Sequence, residues 1–173
     1  CRLMNKLLRD LTDYSMSDQL TKQRSDLCNL LRRAYLSCLP LTEGTNKTLT
    51  YTSRVSCAYM PLDSPKMMEA LLNLIVNALD AVSDNGSVQI ILTKSNEQFV
   101  VSIIDDGCGI APKQLLTIFH PFTTTKPDGT GLGLPVAKRI IEGHGGHIRV
   151  SSAPNQGATF TFLLPCSFSS DKK

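Results

Sequence analysis

The sequence predicts an α/β fold: a two-layer sandwich of one mixed β-sheet with helices on one face, preceded by a short N-terminal helix. Residues 66–82 show the longest helical periodicity in the chain, and residues 133–143 show a second helical pattern. Four segments that alternate or run apolar form two strand pairs. These strands are predicted at residues 87–94, 98–105, 147–152 and 158–164. A sheet with one apolar face needs helices packed against that face, which gives the two layers.

The chain before residue 66 is predicted to hold a smaller set of elements. Apolar residues recur at steps of three and four in residues 2–14, which is typical of an amphipathic helix. Residues 16–24 are polar and aperiodic, so we expect a linker there. The elements predicted next are a short strand at 25–27, a helix at 28–38 and a strand at 48–55. Residues 167–173 are predicted to be a polar tail.

The helix at 66–82 is expected to begin at a cap formed by Asp63 or Ser64, with Pro65 at the first helical position. Its apolar periodicity predicts which side chains face the core. These are Met68, Leu71, Leu72, Ile75, Leu79 and Val82.

Composition excludes several classes of protein. The chain has 173 residues, a net charge of +3, 42% hydrophobic residues and 19% charged residues, which suits one globular domain and gives no basic surface for nucleic acid. It contains no apolar stretch near the ~20 residues that a membrane span needs. Because it begins with Cys1, we expect it to be part of a longer protein. We expect a cytoplasmic domain, and a membrane anchor elsewhere in the parent protein stays open.

The six cysteines show neither C-x-x-C pairs nor a histidine at zinc-ligand spacing. We predict that they are reduced and mostly buried as small apolar residues. The same interpretation is preferred for Cys108, although it lies inside a glycine cluster.

The chemistry is predicted to lie in residues 105–134, where two glycine clusters bracket a loop that carries threonines and a lysine. Glycine allows close approach of the backbone to a ligand, and free backbone N–H groups bind phosphate. The apolar run at 100–104 leads into Asp105, whose carboxylate would lie at the base of a pocket and could accept from an exocyclic amine. The alternative for Asp105 is a turn residue that caps Gly107. No G-x-x-x-x-G-K-[ST] motif is present.

Polar side chains also form a stripe on the long predicted helix, because Glu69, Asn73 and Asn77 follow one another at four-residue steps. Amide oxygens on a helix wall can ligate Mg²⁺ that also binds substrate phosphates. The alternative is an ordinary solvated helix face. Lys126 can place a charge on a phosphate, and its alternative is a solvated loop lysine. His120 is predicted to pack within its loop.

Five motifs in a fixed order make residues 20–165 resemble the catalytic ATP-binding domain of a bacterial sensor histidine kinase, within the gyrase/Hsp90/histidine kinase/MutL superfamily. The segment from Glu69 through Asn73 and Asn77 to Ala81 resembles the N box. Asp105-x-Gly107-x-Gly109 resembles the first glycine box, and residues 119–126 resemble the F box. Residues 129–134 resemble the second glycine box, and residues 157–160 resemble the last motif. The amino-acid sequence of residues 123–134 is most similar to that of the nitrogen-sensor type of kinase.

This resemblance implies a Bergerat-type ATP-binding fold and a set of ATP and Mg²⁺ contacts. Asn77, helped by Asn73, would hold Mg²⁺, and Asp105 would take the adenine amine, directly or with water and Thr159. Lys126 would neutralise the phosphates, and residues 111–130 would form the ATP lid. The nucleotide contacts implied at the N box and glycine boxes are Ala81, Gly107, Gly109, Ile110, Gly129, Thr130, Gly131, Leu132, Gly133 and Leu134.

The resemblance also implies partners and a division of the chain. Residues 1–15 would end a dimerisation and phosphoacceptor hairpin, and residues 25–166 would be the catalytic domain. The parent protein would be a homodimer that phosphorylates its own hairpin and then a response regulator. Hydrolysing members of the superfamily carry a glutamate where this chain has Asn73, which favours phosphoryl transfer over hydrolysis. The alternatives are a serine kinase of the anti-sigma-factor kind and a non-catalytic nucleotide-gated module.

Overall fold

The computed structural model describes residues 20–126 and 129–166. The predicted N-terminal helix, the polar tail and most of the predicted linker lie outside these residues. The helices are α1 (Leu27–Cys38), a 3-10 helix (Leu39–Thr42), α2 (Ser64–Ala81), α3 (Pro112–Leu115) and α4 (Gly133–Gly143). The strands are β1 (Gln23–Asp26), β2 (Thr48–Ser53), β3 (Tyr59–Leu62), β4 (Ser87–Ser95), β5 (Gln98–Asp105), β6 (His147–Ser152) and β7 (Ala158–Pro165).

Five strands form one mixed sheet in the order β2-β4-β5-β7-β6. β2 runs parallel to β4, and every other neighbouring pair is antiparallel. The predicted mixed sheet and both predicted strand pairs are therefore confirmed. The order also sets the position of the site, because β5 is the central strand and its last residue is Asp105.

β1 and β3 form a separate two-stranded antiparallel ribbon. β3 is a strand that the sequence pattern does not predict, because it is four residues long and contains Pro61, which counts against a strand. β1 begins at Gln23, so two residues assigned to the linker belong to a strand. Both strands are defined by their pairing with each other rather than by apolar alternation.

The core lies between one face of the sheet and helices α1, α2 and α4. Alternate residues of β5 and β7 are buried, as expected for a sheet covered on one face. The predicted core face of α2 is rotated from the observed one, since Met68 and Leu72 are only partly buried. The residues of α2 that the structure buries are Met67, Ala70, Leu71, Leu74, Ile75, Ala78 and Leu79. Contact with α1 and α4 as well as the sheet widens this face beyond a single stripe.

A buried polar junction joins the start of α2 to the end of α4. The side chain of Asp63 accepts from the N–H of Lys66, so Asp63 is the N-cap of α2. The N–H of Asp63 donates to Nε2 of His144 at 2.9 Å, and Nδ1 of His144 lies 2.7 Å from the carbonyl of Ile140. Because Nε2 accepts the hydrogen bond from Asp63, it carries no proton and Nδ1 is the donor to Ile140. Burial lowers the pKa of His144, which acts in the same direction.

Five cysteines lie within the described residues, and each is a free thiol in this structure. Cys38 is buried, but Cys57 and Cys108 are exposed, so the prediction of mostly buried cysteines is wrong at these two positions. Both lie in irregular segments, where apolar periodicity gives no information on burial.

Within the described residues, no helix combines the length and the apolar character that a membrane crossing requires.

Candidate functional site

Asp105 ends the central strand with its carboxylate inside the protein, where only 5% of the residue is exposed. Its Oδ1 accepts from the N–H of Gly107 at 3.0 Å and from the N–H of Ala158 at 3.1 Å. Burial raises the pKa of this carboxyl, although the two hydrogen bonds act in the opposite direction. Asp105 therefore does cap Gly107. Among the described residues both bonds go to Oδ1, and Oδ2 is the oxygen left for a ligand.

The turn after Asp105 needs its glycines because the backbone of other segments crosses it closely. A Cβ on Gly107 would collide with the carbonyl of Ala81, and Gly109 combines a φ of +69° with close contact to the carbonyl of Ala153. The carbonyl of Ala81 accepts from the N–H of Cys108 at 3.1 Å. The predicted ligand residue Ala81 thus has an observed role as the anchor of the glycine turn at the end of α2.

Ser152 completes this turn from the edge strand. Its hydroxyl accepts from the N–H of Ile110 at 2.9 Å and donates to the carbonyl of Gly157 at 2.6 Å. Ser152 carries no motif signal, and the motif at residues 157–160 does not indicate that the N–H of Ala158 reaches Asp105, so neither contact was predicted from the sequence. Only the register of β7 against β5 and β6 brings them to the site.

Asp106 faces away from Asp105 and has a structural role. Its carboxylate accepts from both the N–H and the hydroxyl of Ser87, at 2.8 and 2.7 Å. These bonds lower the pKa of the Asp106 carboxyl. The two adjacent aspartates therefore differ in environment, and Asp105 is the one built into the pocket.

The polar side chains of α2 meet the second glycine cluster. Gly133, at the start of α4, lies against the side chain of Asn73, where a Cβ would meet Oδ1 at 3.4 Å. One turn further along α2, Oδ1 of Asn77 accepts from Nζ of Lys126 at 3.0 Å. Nζ also pairs with Oδ2 of Asp80 at 2.9 Å. The structure therefore brings together the three predicted residues Asn73, Asn77 and Lys126, and adds Asp80.

A cation fits at Asn77, since an ammonium group already rests on its amide oxygen and on the Asp80 carboxylate. Within the described residues no three His, Cys, Asp or Glu side chains cluster as a metal centre. An Mg²⁺ ion here would therefore have few protein ligands, which is the arrangement used when phosphates and water supply the others. Asp80 follows Asn77 by three residues, and this helical spacing is the signal by which it could have been found.

The second glycine cluster wraps against the end of the F-box segment. Gly131 has a φ of +67° and lies against the backbone of Phe122, whose N–H donates to the Gly131 carbonyl at 3.1 Å. Phe122 itself has a φ of +65° and is 61% exposed. Leu132 is fully buried just before α4, and its N–H lies 3.4 Å from the hydroxyl of Thr130. Gly129 packs against the side chain of Thr124.

Two sequence predictions for side chains near the site are corrected. Thr159 pairs with Ile104, whereas Ala158 pairs with Asp105, so the alternation of a strand places Thr159 on the sheet face away from Asp105. The residue that reaches the Asp105 carboxylate from this strand is Ala158, through its N–H. His120 is exposed and does not pack within its loop.

Comparison with known proteins gives the family. The model of the histidine kinase-, DNA gyrase B-, and HSP90-like ATPase family matches residues 62–167, which is more than half of the chain. The chain belongs to this family. The resemblance to a histidine kinase catalytic domain is thus supported, while the nitrogen-sensor type remains a prediction.

The proteins that this chain resembles in sequence include two histidine kinases. The chain is 36% identical over 165 residues to the signal transduction histidine-protein kinase AtoS of Escherichia coli, covering 94% of this chain and 27% of that protein. It is 34% identical over 163 residues to the sensor histidine kinase ZraS of Salmonella typhimurium, covering 94% and 35%. The chain therefore spans about a third of the length of these relatives.

Solved structures of the same fold include two histidine kinases. Full-length ShkA in complex with AMPPNP aligns with a TM-score of 0.82 at 26% identity, covering 95% of this chain and 35% of that one. The catalytic domain of ThkA aligns with a TM-score of 0.77 at 29% identity, covering 84% and 96%. ThkA has also been solved in complex with the response regulator protein TrrA, at a TM-score of 0.80, 25% identity and coverage of 94% and 47%.

Proposed function

We propose that this chain is the catalytic ATP-binding domain of a sensor histidine kinase, which transfers the γ-phosphoryl group of ATP to a histidine on a dimerisation hairpin. The observation that carries the proposal is the buried carboxylate of Asp105, with one oxygen held by the glycine turn and the other left for a ligand. An exocyclic amine such as that of adenine matches this acceptor. The AMPPNP complex of the similar kinase ShkA supports a nucleotide as the ligand.

The phosphates would lie between α2 and the second glycine cluster, where a lysine and two amides already converge. Asn77, with Asn73 beside it, would hold Mg²⁺, and the ion would offset phosphate charge when bound. Lys126 would leave Asn77 and turn its ammonium toward the phosphates, as a point charge on a flexible stem allows. Phosphoryl transfer depends mainly on such positioning and charge neutralisation.

Transfer to a protein is preferred over hydrolysis because Asn73 has no basic group to activate water. Among the described histidines, exposed His120 lies in the segment that the resemblance implies is the lid, and buried His144 has both ring nitrogens engaged. Exposed His147 begins strand β6 and does not lie on a helix face beside a glutamate. None of the three therefore suits the role of phosphoacceptor.

We propose that residues 1–15 end the hairpin that carries the acceptor and that the linker follows them. The catalytic domain then begins at strand β1, two residues before the predicted boundary, and extends to residue 166. The second phosphoryl acceptor would be a response regulator, as the ThkA complex with TrrA suggests.

In the cell we propose a homodimeric parent protein whose catalytic domain lies in the cytoplasm. The homodimer would bring each catalytic domain to a hairpin, and the cytoplasm would give access to ATP and to the response regulator.

The test is a phosphoryl-transfer assay in which the catalytic domain and the phosphoacceptor hairpin are supplied as separate proteins. The chain is mixed with ATP labelled on the γ-phosphate and with the phosphoacceptor hairpin of its parent protein. Label should appear slowly on the hairpin, because a tether no longer raises the effective concentration. The label should be acid-labile and base-stable. A hairpin with its histidine replaced by glutamine is the matched control and should stay unlabelled, whereas rapid self-labelling or label on serine would favour the serine kinase alternative.

A further inference from the structure

Two cysteines lie just beyond the β1–β3 ribbon, far along the chain from the glycine clusters. In the ribbon Asp26 pairs with Tyr59. The register continues for one more pair, because the N–H of Leu27 donates to the carbonyl of Ala58 at 3.0 Å. Cys28 and Cys57 follow this contact, Cys28 as the second residue of α1 and Cys57 in the irregular segment between β2 and β3.

Leu27 and Ala58 are both fully buried, whereas Cys28 is half-buried and Cys57 is exposed. The two cysteines therefore lie at the edge of the packed core, where the chain passes from the ribbon into α1.

The carboxylate of Asp26 clamps the two backbones together at this point. One oxygen, Oδ1, accepts from the N–H of Cys28 at 3.0 Å and from the N–H of Ala58 at 2.9 Å. The hydrogen bond from the N–H of Cys28 also caps the N-terminus of α1. Both backbones beside the cysteines are therefore held on one oxygen of a single side chain, which keeps the two cysteines near each other.

The thiol of Cys28 is directed at the segment that contains Cys57. Its Sγ lies 3.8 Å from the carbonyl of Val55 and 3.8 Å from the hydroxyl of Ser53. Burial raises the pKa of Cys28, and a smaller contribution in the same direction comes from the nearby thiol of Cys57. These contacts place the thiol of Cys28 beside the segment that carries Cys57.

We propose that Cys28 and Cys57 form a reversible disulfide when the protein meets hydrogen peroxide. The exposed Cys57 thiolate attacks one peroxide oxygen; an S–O bond forms, the O–O bond breaks, and the released hydroxide takes a proton to become water. The Cys28 thiolate then attacks the sulfenic sulfur of Cys57. The S–S bond forms, the S–O bond breaks, and the second hydroxide leaves as water. Two thiols are oxidised, one peroxide is reduced to two waters, and a dithiol reverses the bond by exchange.

The disulfide would tie the first turn of α1 to the segment that follows β2. α1 packs against α2, the helix that carries Asn73 and Asn77. The modification would thus add a covalent restraint to the layer behind the proposed nucleotide site. The proposal does not depend on the proposed function, because it uses none of the residues of that site.

The experiment maps disulfides by mass spectrometry in a Cys1→Ser background. The folded protein is treated with hydrogen peroxide, its remaining thiols are blocked with N-ethylmaleimide, and it is digested without reductant. We expect one peptide pair linked through Cys28 and Cys57, which dithiothreitol separates. Cys57→Ser should abolish the linked pair, and Cys108→Ser, which removes another exposed cysteine, should leave it intact.

Thermal unfolding gives a second measurement that does not rely on a variant's fold. Oxidation should raise the midpoint of thermal unfolding of the chain without the Cys57 substitution by about 5 °C or more, because a cross-link restricts the unfolded chain. The same treatment should leave the midpoint of Cys57→Ser unchanged. The proposal is overturned if Cys57 accumulates as sulfenic or sulfinic acid while Cys28 remains alkylated, or if Cys57 links two chains instead.

Discussion

The two glycine clusters of the site are held in place very differently. The first, after Asp105, is fixed from three sides by the carbonyl of Ala81, the hydroxyl of Ser152 and the carboxylate of Asp105 itself. The second leads from Lys126 into α4 with a bond from Phe122 and a weak one inside Thr130–Leu132. Within the described residues, more hydrogen bonds from distant segments of the chain reach the first cluster than the second, so the first side of the site is the more firmly built into the fold.

Because of this difference, we expect the two glycine clusters to have different roles in binding. A pocket that recognises one fixed group benefits from a rigid frame, because preorganisation lowers the cost of binding. A segment that must close over phosphates has to change its contacts, and few existing bonds make that change inexpensive. The comparison predicts that substitutions in the first cluster affect stability and affinity strongly, and that those in the second act weakly.

The largest expected effect is that of Gly157→Ala, which inserts a methyl group into the frame of the first cluster. Gly157 has a φ of +70°, donates its N–H to the carbonyl of Gly107 at 3.0 Å, and lies in close contact with the carbonyl of Asp105. We expect a loss of about 3 kcal/mol or more in the free energy of unfolding, measured by urea denaturation.

Gly44→Ala is the matched control for this substitution. Gly44 has a similar φ of +75°, but a Cβ there meets nothing within 4 Å. It should cost only about 1 kcal/mol, which is the strain of the backbone alone. Equal losses in the two variants would mean that the crowding around Asp105 contributes nothing to stability.

Asp105→Asn should weaken ATP binding by about 1–3 kcal/mol, because a buried donor on the ligand loses its charged acceptor. Calorimetric titration with ATP and Mg²⁺ measures this change. Asp106→Asn is the control, since the neighbouring carboxylate binds Ser87 and not the pocket. Unchanged affinity in Asp105→Asn, or an equal loss in the control, would remove Asp105 from the adenine contact.

The same two variants should differ in the sign of their pH dependence. Burial raises the pKa of Asp105, so its contribution to stability is present at acid pH and is lost as pH rises. Hydrogen bonds from Ser87 lower the pKa of Asp106, so its contribution is lost as pH falls. As pH is raised from about 3 to 7, the unfolding free energy of Asp105→Asn should rise relative to that of the unsubstituted chain, and that of Asp106→Asn should fall relative to it.

These two halves also differ in how far the sequence predicts them. Asp105 and the glycines after it were predictable, because a buried strand that runs into a D-x-G-x-G turn fixes their place locally. Ser152 and Ala158 were not, since their roles depend on the register between distant strands. Thr159 was assigned wrongly for the same reason: a shift of one residue along a strand reverses the face.

The core of α2 illustrates the same limit for a helix. Periodicity predicted its length and ends closely, and Asn73 and Asn77 were correctly placed on a partly buried wall. The buried face was rotated, because helices on either side of α2 cover positions that a single-stripe pattern leaves exposed. Asp80 was missed because an acidic residue near a helix end is ordinary until a lysine from another segment reaches it.

His144→Phe tests the anchor at the far end of the helix that begins in the second cluster. The variant leaves the N–H of Asp63 without its acceptor, so we expect a cost of about 1–3 kcal/mol at neutral pH. Burial lowers the pKa of His144, and Lys22 and Asp63 are the charged groups near it. Its stabilising contribution is therefore present above the unfolded pKa of about 6.5 and is lost as pH falls.

The measurement is the unfolding free energy at a series of pH values between about 5 and 8. The unsubstituted chain should lose stability over the acid part of this range, and His144→Phe should lose less. His147→Phe, at an exposed histidine on β6, is the control and should keep the parent slope. A parent-like slope in His144→Phe would show that this ring does not govern the pH response.

The smallest expected effect is that of Asp80→Asn, which loosens the second half without touching the first. Asp80 and Lys126 form a pair whose side chains are about half exposed, and such pairs contribute roughly 0–1 kcal/mol. The pair holds the lysine on the amide oxygen of Asn77, the proposed Mg²⁺ ligand. Binding of ATP with Mg²⁺ has to displace this ammonium, so the variant should bind more tightly, by at most about fivefold.

The gain from Asp80→Asn should fade as salt is raised, because an exposed ion pair is screened and the parent lysine is then already released. Calorimetric titration with ATP and Mg²⁺ at low and high salt separates this effect from a change in the pocket, which salt would leave in place. Glu142→Gln removes the same charge from an exposed pair with Lys138 on α4 and should alter affinity at neither salt concentration. Weaker binding in Asp80→Asn would instead mean that Asp80 supports the cation, and that the lysine in this structure marks the ion's position rather than blocking it.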